Sequence, residues 1–133
     1  LADLVCVDPA LVARIWPLAK GLIKSATDRT GLSDFGELEA QVLKGDQLLW
    51  LAVHGPDIEA AATTHLIKID NRTVCILTAC GGYQRDRWLP LFKQVEKYAK
   101  DEGAACMRIF GRPGWQRVLD GYRVENVILE KVL

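Results

Sequence analysis

Proton transfer near neutral pH calls for an imidazole, the one side-chain type suited to it by its ordinary chemistry, and His65 is the best candidate base in the chain. It lies in a strand-like stretch beside Thr63 and Thr64. Their hydroxyls, with that of Thr78, can orient an acceptor, although all three are ordinary strand residues. A histidine satisfied by structural hydrogen bonds is the alternative reading of His65. Arg108, Arg112, Arg117 and Arg123 form a second group, suited to an anionic ligand or partner or to surface ion pairs. Arg112, beside Pro113-Gly114 after a strand, is the most site-like of the four. Cys6, Cys75, Cys80 and Cys106 sit among apolar neighbours and form no C-x-x-C pair. They read as reduced core thiols, and no metal is expected, because zinc wants close ligand pairs on turns.

These groups belong to a chain of 133 residues, the length of one ordinary domain, read as a single unit over 1–133. Hydrophobic residues at 50% and charged residues at 26% make an ordinary soluble composition. Seventeen Lys and Arg balance seventeen Asp and Glu, so the formal net charge is zero. That balance argues against a general nucleic-acid binder and leaves room for a local basic patch. No apolar run approaches the ~18–20 residues that span a bilayer. The longest, Leu48 to Val53, is strand-sized. No charged leader followed by an apolar block opens the sequence, and with free thiols a cytoplasmic location is expected.

Leu4 to Val7 reads as an opening strand, and Asp8-Pro9 as a capped helix start. Apolar residues recur at helical spacing from Leu11 to Ala26, with Pro17 inside the run predicting a kink or break. Ser33-Asp34 with Glu37 starts a second helix, closed by Gly45. Leu48 to Val53, Ile58 to Ile69 and Thr73 to Cys80 then form an antiparallel meander. Gly81-Gly82 releases the chain into an amphipathic helix that buries Trp88, Leu91, Phe92, Val95 and Ala99 and stops at Gly103. The strand Ala105 to Phe110 should lie parallel to its neighbour across this helical crossover. A short helix from Pro113 to Gly121 and a last strand, Val124 to Leu133, complete the order.

This succession resembles the GCN5-related N-acetyltransferase (GNAT) superfamily over nearly the whole chain. It implies an α/β (α+β) fold with a mixed, mostly antiparallel sheet of about six strands flanked by helices. The most specific match is C-terminal: Ala99-x-x-x-Gly103 closing a helix, an apolar strand, then a short helix ending in Gly121-Tyr122. The run Gly111 to Arg123 also resembles small GNAT-like proteins carried by bacteriophages and prophages.

The resemblance implies acetyl-CoA or another acyl-CoA as co-substrate, held between the third meander strand and the strand after the long helix. In the family these two strands splay, and backbone groups of the first pair with the pantetheine arm. Carried over, that places Thr78, Ala79 and Cys80 along the arm. The pyrophosphate follows at the start of the next helix, where amides and the helix dipole favour an anion. A small-molecule or protein amine attacks the thioester, helped by a base, for which His65 is the candidate, and often by a tyrosine acid.

The chain departs from the family pattern at two places. The phosphate loop, normally glutamine or arginine, two residues, glycine, one residue, then glycine or alanine, falls on Tyr83 to Trp88, which contains no glycine. Gly81 and Gly82 just upstream can supply amides, and Arg85 and Arg87 charge. A plain turn with solvated arginines is the alternative. The tyrosine acid's position falls on Arg117, and a guanidinium does not serve as an ordinary acid, while Tyr122 takes the place of a core aromatic. Two functions stand: an acyltransferase with a degenerate phosphate loop, or a non-catalytic GNAT-shaped binding or assembly protein. The edge of the last strand offers a route to a homodimer.

Overall fold

In the computed structural model, which describes residues 2–133, the Asp8 carboxylate accepts the amide of Ala10 at 2.9 Å. Pro9 opens a 3-10 turn that leads straight into α1, Val12–Thr30. Val12, Trp16, Ala19, Ile23 and Ala26 recur at three- and four-residue intervals and are buried, so one stripe of α1 faces the sheet. Of the kink or break expected at Pro17, no break occurs, since α1 runs on through it. It sits in the second turn, and the carbonyl it leaves without a donor belongs to exposed Ala13, where water can serve instead. Asp34 accepts the Glu37 amide at 2.9 Å and caps α2, Phe35–Lys44, which buries Leu38 and Val42. Gly31 and Gly45 end the two helices in the left-handed region, with φ of 64° and 94°.

The sheet runs in the order β1 (Asp3–Cys6), β2 (Leu48–His54), β3 (Asp57–Ile69), β4 (Arg72–Gly82), β5 (Ala104–Ile109). The first four strands are antiparallel neighbours, and β5 lies parallel to β4 as the crossover predicts. α1 and α2 cover one face through Trp16, Ile23, Leu38 and Val42, packed on Leu49, Leu51, Ala61 and Ala79. On the other face, α3 (Phe92–Asp101) and the short α4 (Trp115–Val118) enclose Ala52, Ala60, Leu77, Trp88 and Phe92. No helix among the described residues is long and apolar enough to cross a membrane.

Two elements differ from expectation. The helix after Gly82 does not begin there: residues 85–87 and 89–91 form two 3-10 turns, and α3 starts only at Phe92. Gln84 adopts a left-handed φ of 50°, and Pro90 has no amide to donate, so a regular helix cannot run through this stretch. The last strand does not form either. Among the described residues the sheet has five strands rather than about six, and residues 123–133 are irregular and exposed. The Tyr122 hydroxyl donates to Glu96 on α3 at 2.6 Å, which roots this segment on the helical face and presents it with no ladder.

Gly21 occupies an exposed position within α1, and a Cβ built there meets nothing within 4 Å. Gly21→Ala is therefore expected to stabilise the fold by about 0.5–1 kcal/mol by removing glycine's excess unfolded-state freedom. Thermal unfolding should show a rise of roughly 2–4 °C.

Candidate active site

The β4–β5 ladder runs from Thr73 opposite Ala104 to Leu77 opposite Ile109, and Phe110 donates to the Leu77 carbonyl at 3.1 Å. Beyond that rung β4 continues to Gly82 while β5 has ended, so the two strands part at Thr78. The cause is a bulge: Thr64 pairs with Leu77 and Thr63 with Ala79, leaving Thr78 as an extra residue in β4. A polar chain pins it. The Thr63 and Thr78 hydroxyls lie 2.6 Å apart, Thr78 donates to Gln47 Oε1 at 2.5 Å, and Gln47 Nε2 donates to Gln41 Oε1 on α2 at 2.6 Å. Thr63 and Gln47 are buried, so each of these bonds is costly to lose.

Above the bulge the antiparallel alternation decides which backbone groups are free for a ligand. Tyr83 donates to the Glu59 carbonyl at 2.9 Å, and Gly81 lies opposite Ala61. Gly81 and Tyr83 therefore face β3, while Cys80 and Gly82 turn their N–H and C=O toward the open side. Here a cleft of about 210 Å³ opens between the ends of β4 and β5. Arg29 from the last turn of α1, Arg85 from the loop after β4 and Arg112 from the loop after β5 all line it. None of the three makes an ion pair among the described residues. Among the described residues, neither a carboxylate nor an imidazole is part of its lining. Three guanidiniums around a concave surface focus a positive potential that favours an anion.

Aromatic rings form the wall on the α3 side. The Trp88 indole N–H donates to the Tyr83 carbonyl at 2.8 Å, and its ring lies 6.3 Å from that of Trp115 and 6.5 Å from that of Phe92. Trp88 thus borders the cleft without filling it. Gly111 admits Trp115, because a Cβ there would come within 2.6 Å of the indole Cδ1. Cys80 is the remaining titratable group in the lining. Burial pushes its thiol up to about 12, against a smaller opposing pull from Arg29, so it stays protonated at neutral pH.

The structure brings Thr78, Ala79, Cys80, Gly81 and Gly82 to the parting of the strands and puts Arg85 in the cleft. Gly81 and Gly82 are strand residues rather than a turn, and their bareness serves packing. A Cβ on Gly81 would collide with the Leu22 carbonyl of α1, and one on Gly82 would come within 2.6 Å of Ala60 Cβ and the Glu59 carbonyl on β3. Arg87 is committed elsewhere. Its Nε donates to both Glu59 oxygens at 2.8 and 3.0 Å, and Nη2 lies 2.6 Å from Oε1. That pairing holds the Glu59 carboxyl below its ordinary range and staples the loop to β3. His65 lies opposite Ile76, on the zipped part of the sheet, in a separate hollow with Gln41, Asp46 and Tyr98. Tyr122 packs on the α3 side, where burial first and then Glu96 raise its phenol well above the usual value. Arg29 had no sequence signal, since a basic residue in the last turn of a helix is commonplace.

No protein-family model matches the sequence, and no curated protein is significantly similar to it. Solved structures share its fold. An aminoglycoside acetyltransferase from an uncultured soil metagenomic sample superposes with a TM-score of 0.70 at 14% identity, covering 100% of this chain and 99% of the other. A GNAT family acetyltransferase from Staphylococcus aureus gives 0.65 at 13% identity, covering 99% and 98%. A predicted acetyltransferase from Clostridium acetobutylicum, solved with acetyl-CoA, gives 0.66 at 12% identity, covering 99% and 96%. The chain thus has the GNAT fold, a mixed α/β architecture with helices on both faces of a mostly antiparallel sheet.

Proposed function

We propose that the protein transfers an acyl group from an acyl-coenzyme A to an amine at the cleft between β4 and β5. The observation that carries this reading is the pairing of outward-turned backbone at Cys80 and Gly82 with three unpaired guanidiniums, Arg29, Arg85 and Arg112. Backbone groups of that kind suit the amides of a pantetheine arm, and arginines suit the phosphates at its far end. Charge capture by side chains here replaces the glycine loop that the sequence lacks. The acceptor nitrogen bonds to the thioester carbonyl carbon, the carbon–sulfur bond breaks, and the nitrogen's proton leaves to water as the departing sulfur takes one up.

Among the described residues neither an imidazole nor a carboxylate lines the cleft, so on this reading the amine arrives uncharged. The expected pH profile of kcat/KM then rises about tenfold per pH unit up to the acceptor's own pKa, with no earlier inflection. An inflection well below that pKa would reveal a protein base and overturn the solvent-mediated route. Four free cysteines suit a reducing compartment, which supports a cytoplasmic setting for this reaction.

The same bare lining favours a second reading, a GNAT-fold protein that binds without catalysis, to which the phage-like look of residues 111–123 also belongs. One experiment separates the two: titrate coenzyme A while following the melting temperature, then assay acetyl transfer to a panel of amines that includes aminoglycosides. Stabilisation with transfer supports the enzyme, and stabilisation without transfer supports the binder. Neither effect at millimolar ligand removes the acyl-CoA reading.

A further inference from the structure

The cleft between β4 and β5 is walled from both faces of the sheet. Ala26, Arg29 and Thr30 of α1 line it on one face, and Trp88 and Trp115 on the other. The three guanidiniums divide as well. Arg85 and Arg112 stand on the loops past the ends of β4 and β5, at the phosphate end of the bound arm. Arg29 comes from the α1 face, three residues beyond Ala26, whose Cβ lies 3.5 Å from the place a Gly81 Cβ would take. Burial raises the Cys80 thiol, and Arg29 is the charge that partly opposes this, so its guanidinium lies within electrostatic reach of the parting of the strands. Thr30 is its neighbour. The Thr30 hydroxyl accepts the Leu32 amide at 3.3 Å and keeps its proton to donate.

We infer that Arg29 and Thr30 bind a carboxylate on the acceptor, so that the acyl group goes to small amines of the amino-acid kind and not to polycationic ones. The assignment rests on acyl transfer at this cleft and names the acceptor class for it. The attacking nitrogen must reach the thioester carbonyl from a side that the coenzyme does not occupy. With the phosphates at Arg85 and Arg112, the α1 face is that side. A carboxylate is planar and takes two parallel N–H bonds from a single guanidinium. Arg29 is exposed and makes no ion pair among the described residues, so its fork is available. The C-terminal end of α1 opposes an anion with roughly half a charge, less than the full charge that Arg29 brings. A polycation meets the reverse situation. Three guanidiniums repel it, and among the described residues no carboxylate in the lining receives its ammonium groups.

Calorimetric titration into the protein saturated with coenzyme A tests this without requiring turnover. The probes are the standard amino acids, the carboxamide of the best binder among them, and the aminoglycoside kanamycin. The best amino acid should bind at least about tenfold more tightly than its carboxamide, the factor that one hydrogen bond to a charged group contributes. Kanamycin should not bind. Arg29→Gln should erase the preference for the acid, while coenzyme A itself weakens by no more than about threefold through lost long-range attraction. Retained coenzyme A binding also reports an intact fold. Arg29→Lys keeps the charge without the fork and should restore only part of the preference. The assignment is overturned, with coenzyme A binding intact, if no amino acid binds, if the carboxamide equals the acid, if kanamycin binds, or if the preference survives Arg29→Gln. Absence of coenzyme A binding in the wild type instead removes the acyl-transfer reading, and this assignment with it.

Discussion

Alanine at both Arg85 and Arg112 is expected to weaken coenzyme A binding by about a hundredfold or more, while leaving the melting temperature of the free protein where it was. A hydrogen bond to a charged group contributes about 1.5–3 kcal/mol, so two lost phosphate contacts amount to at least two powers of ten. The fold should not notice, because both side chains are exposed and neither makes an ion pair among the described residues. Removing two of three converging positive charges even relieves repulsion in the free protein. Calorimetric titration at two salt concentrations reads the effect, since the wild-type affinity should fall more steeply with salt than that of the variant. Arg87→Ala is the internal contrast. It breaks the pairing with Glu59 and loosens the loop against β3, so it should lower the melting temperature while changing affinity far less. If Arg87 matters more to binding than Arg85 and Arg112 together, the anion does not sit in this cleft.

That contrast also shows what was legible in the sequence. Arg85 and Arg87 look alike on the page, two residues apart after a glycine pair. Whether an arginine meets a ligand or a neighbour depends on Glu59, twenty-eight positions away on β3, and no local pattern reports that distance. Caps, by contrast, are local. Asp8, Asp34, Gly31 and Gly45 bond or turn within a few residues of themselves, and the helices begin and end close to where these residues stand. The meander and the parallel β5 follow from periodicity and connection length, which are also written along the chain. His65 was attractive for its chemistry alone. Its place below the parting of β4 and β5 is set by a bulge at Thr78, and nothing in the run around Thr78 announces an unpaired residue. The last strand failed for a related reason: an apolar, β-branched segment states a tendency to pair without stating with what. Position, not residue type, was the missing information.

Gly81→Ala carries the other large effect, a loss of about 3 kcal/mol of stability and roughly 10 °C of melting temperature. The added Cβ would strike the Leu22 carbonyl, and backbone on both sides leaves no side chain to rotate away. Relief requires α1 to lift from β4, and it would carry the buried Ala19, Ile23 and Ala26 with it. The experiment discriminates between two roles for this glycine. Were Gly81 bare so that phosphate could approach its amide, alanine would keep the N–H, cost the fold little and weaken binding directly. Packing predicts the opposite ranking: stability falls first, and affinity follows only because Arg29 rides on the displaced end of α1. Chemical denaturation of the free protein, set beside ligand titration at a temperature where the variant is still folded, separates the two. Gly21→Ala, on the same helix but facing open space, is the control, and it should move stability the other way. A silent Gly81→Ala would mean that α1 does not rest on β4 at this point, and Arg29 would then lose its claim to the cleft.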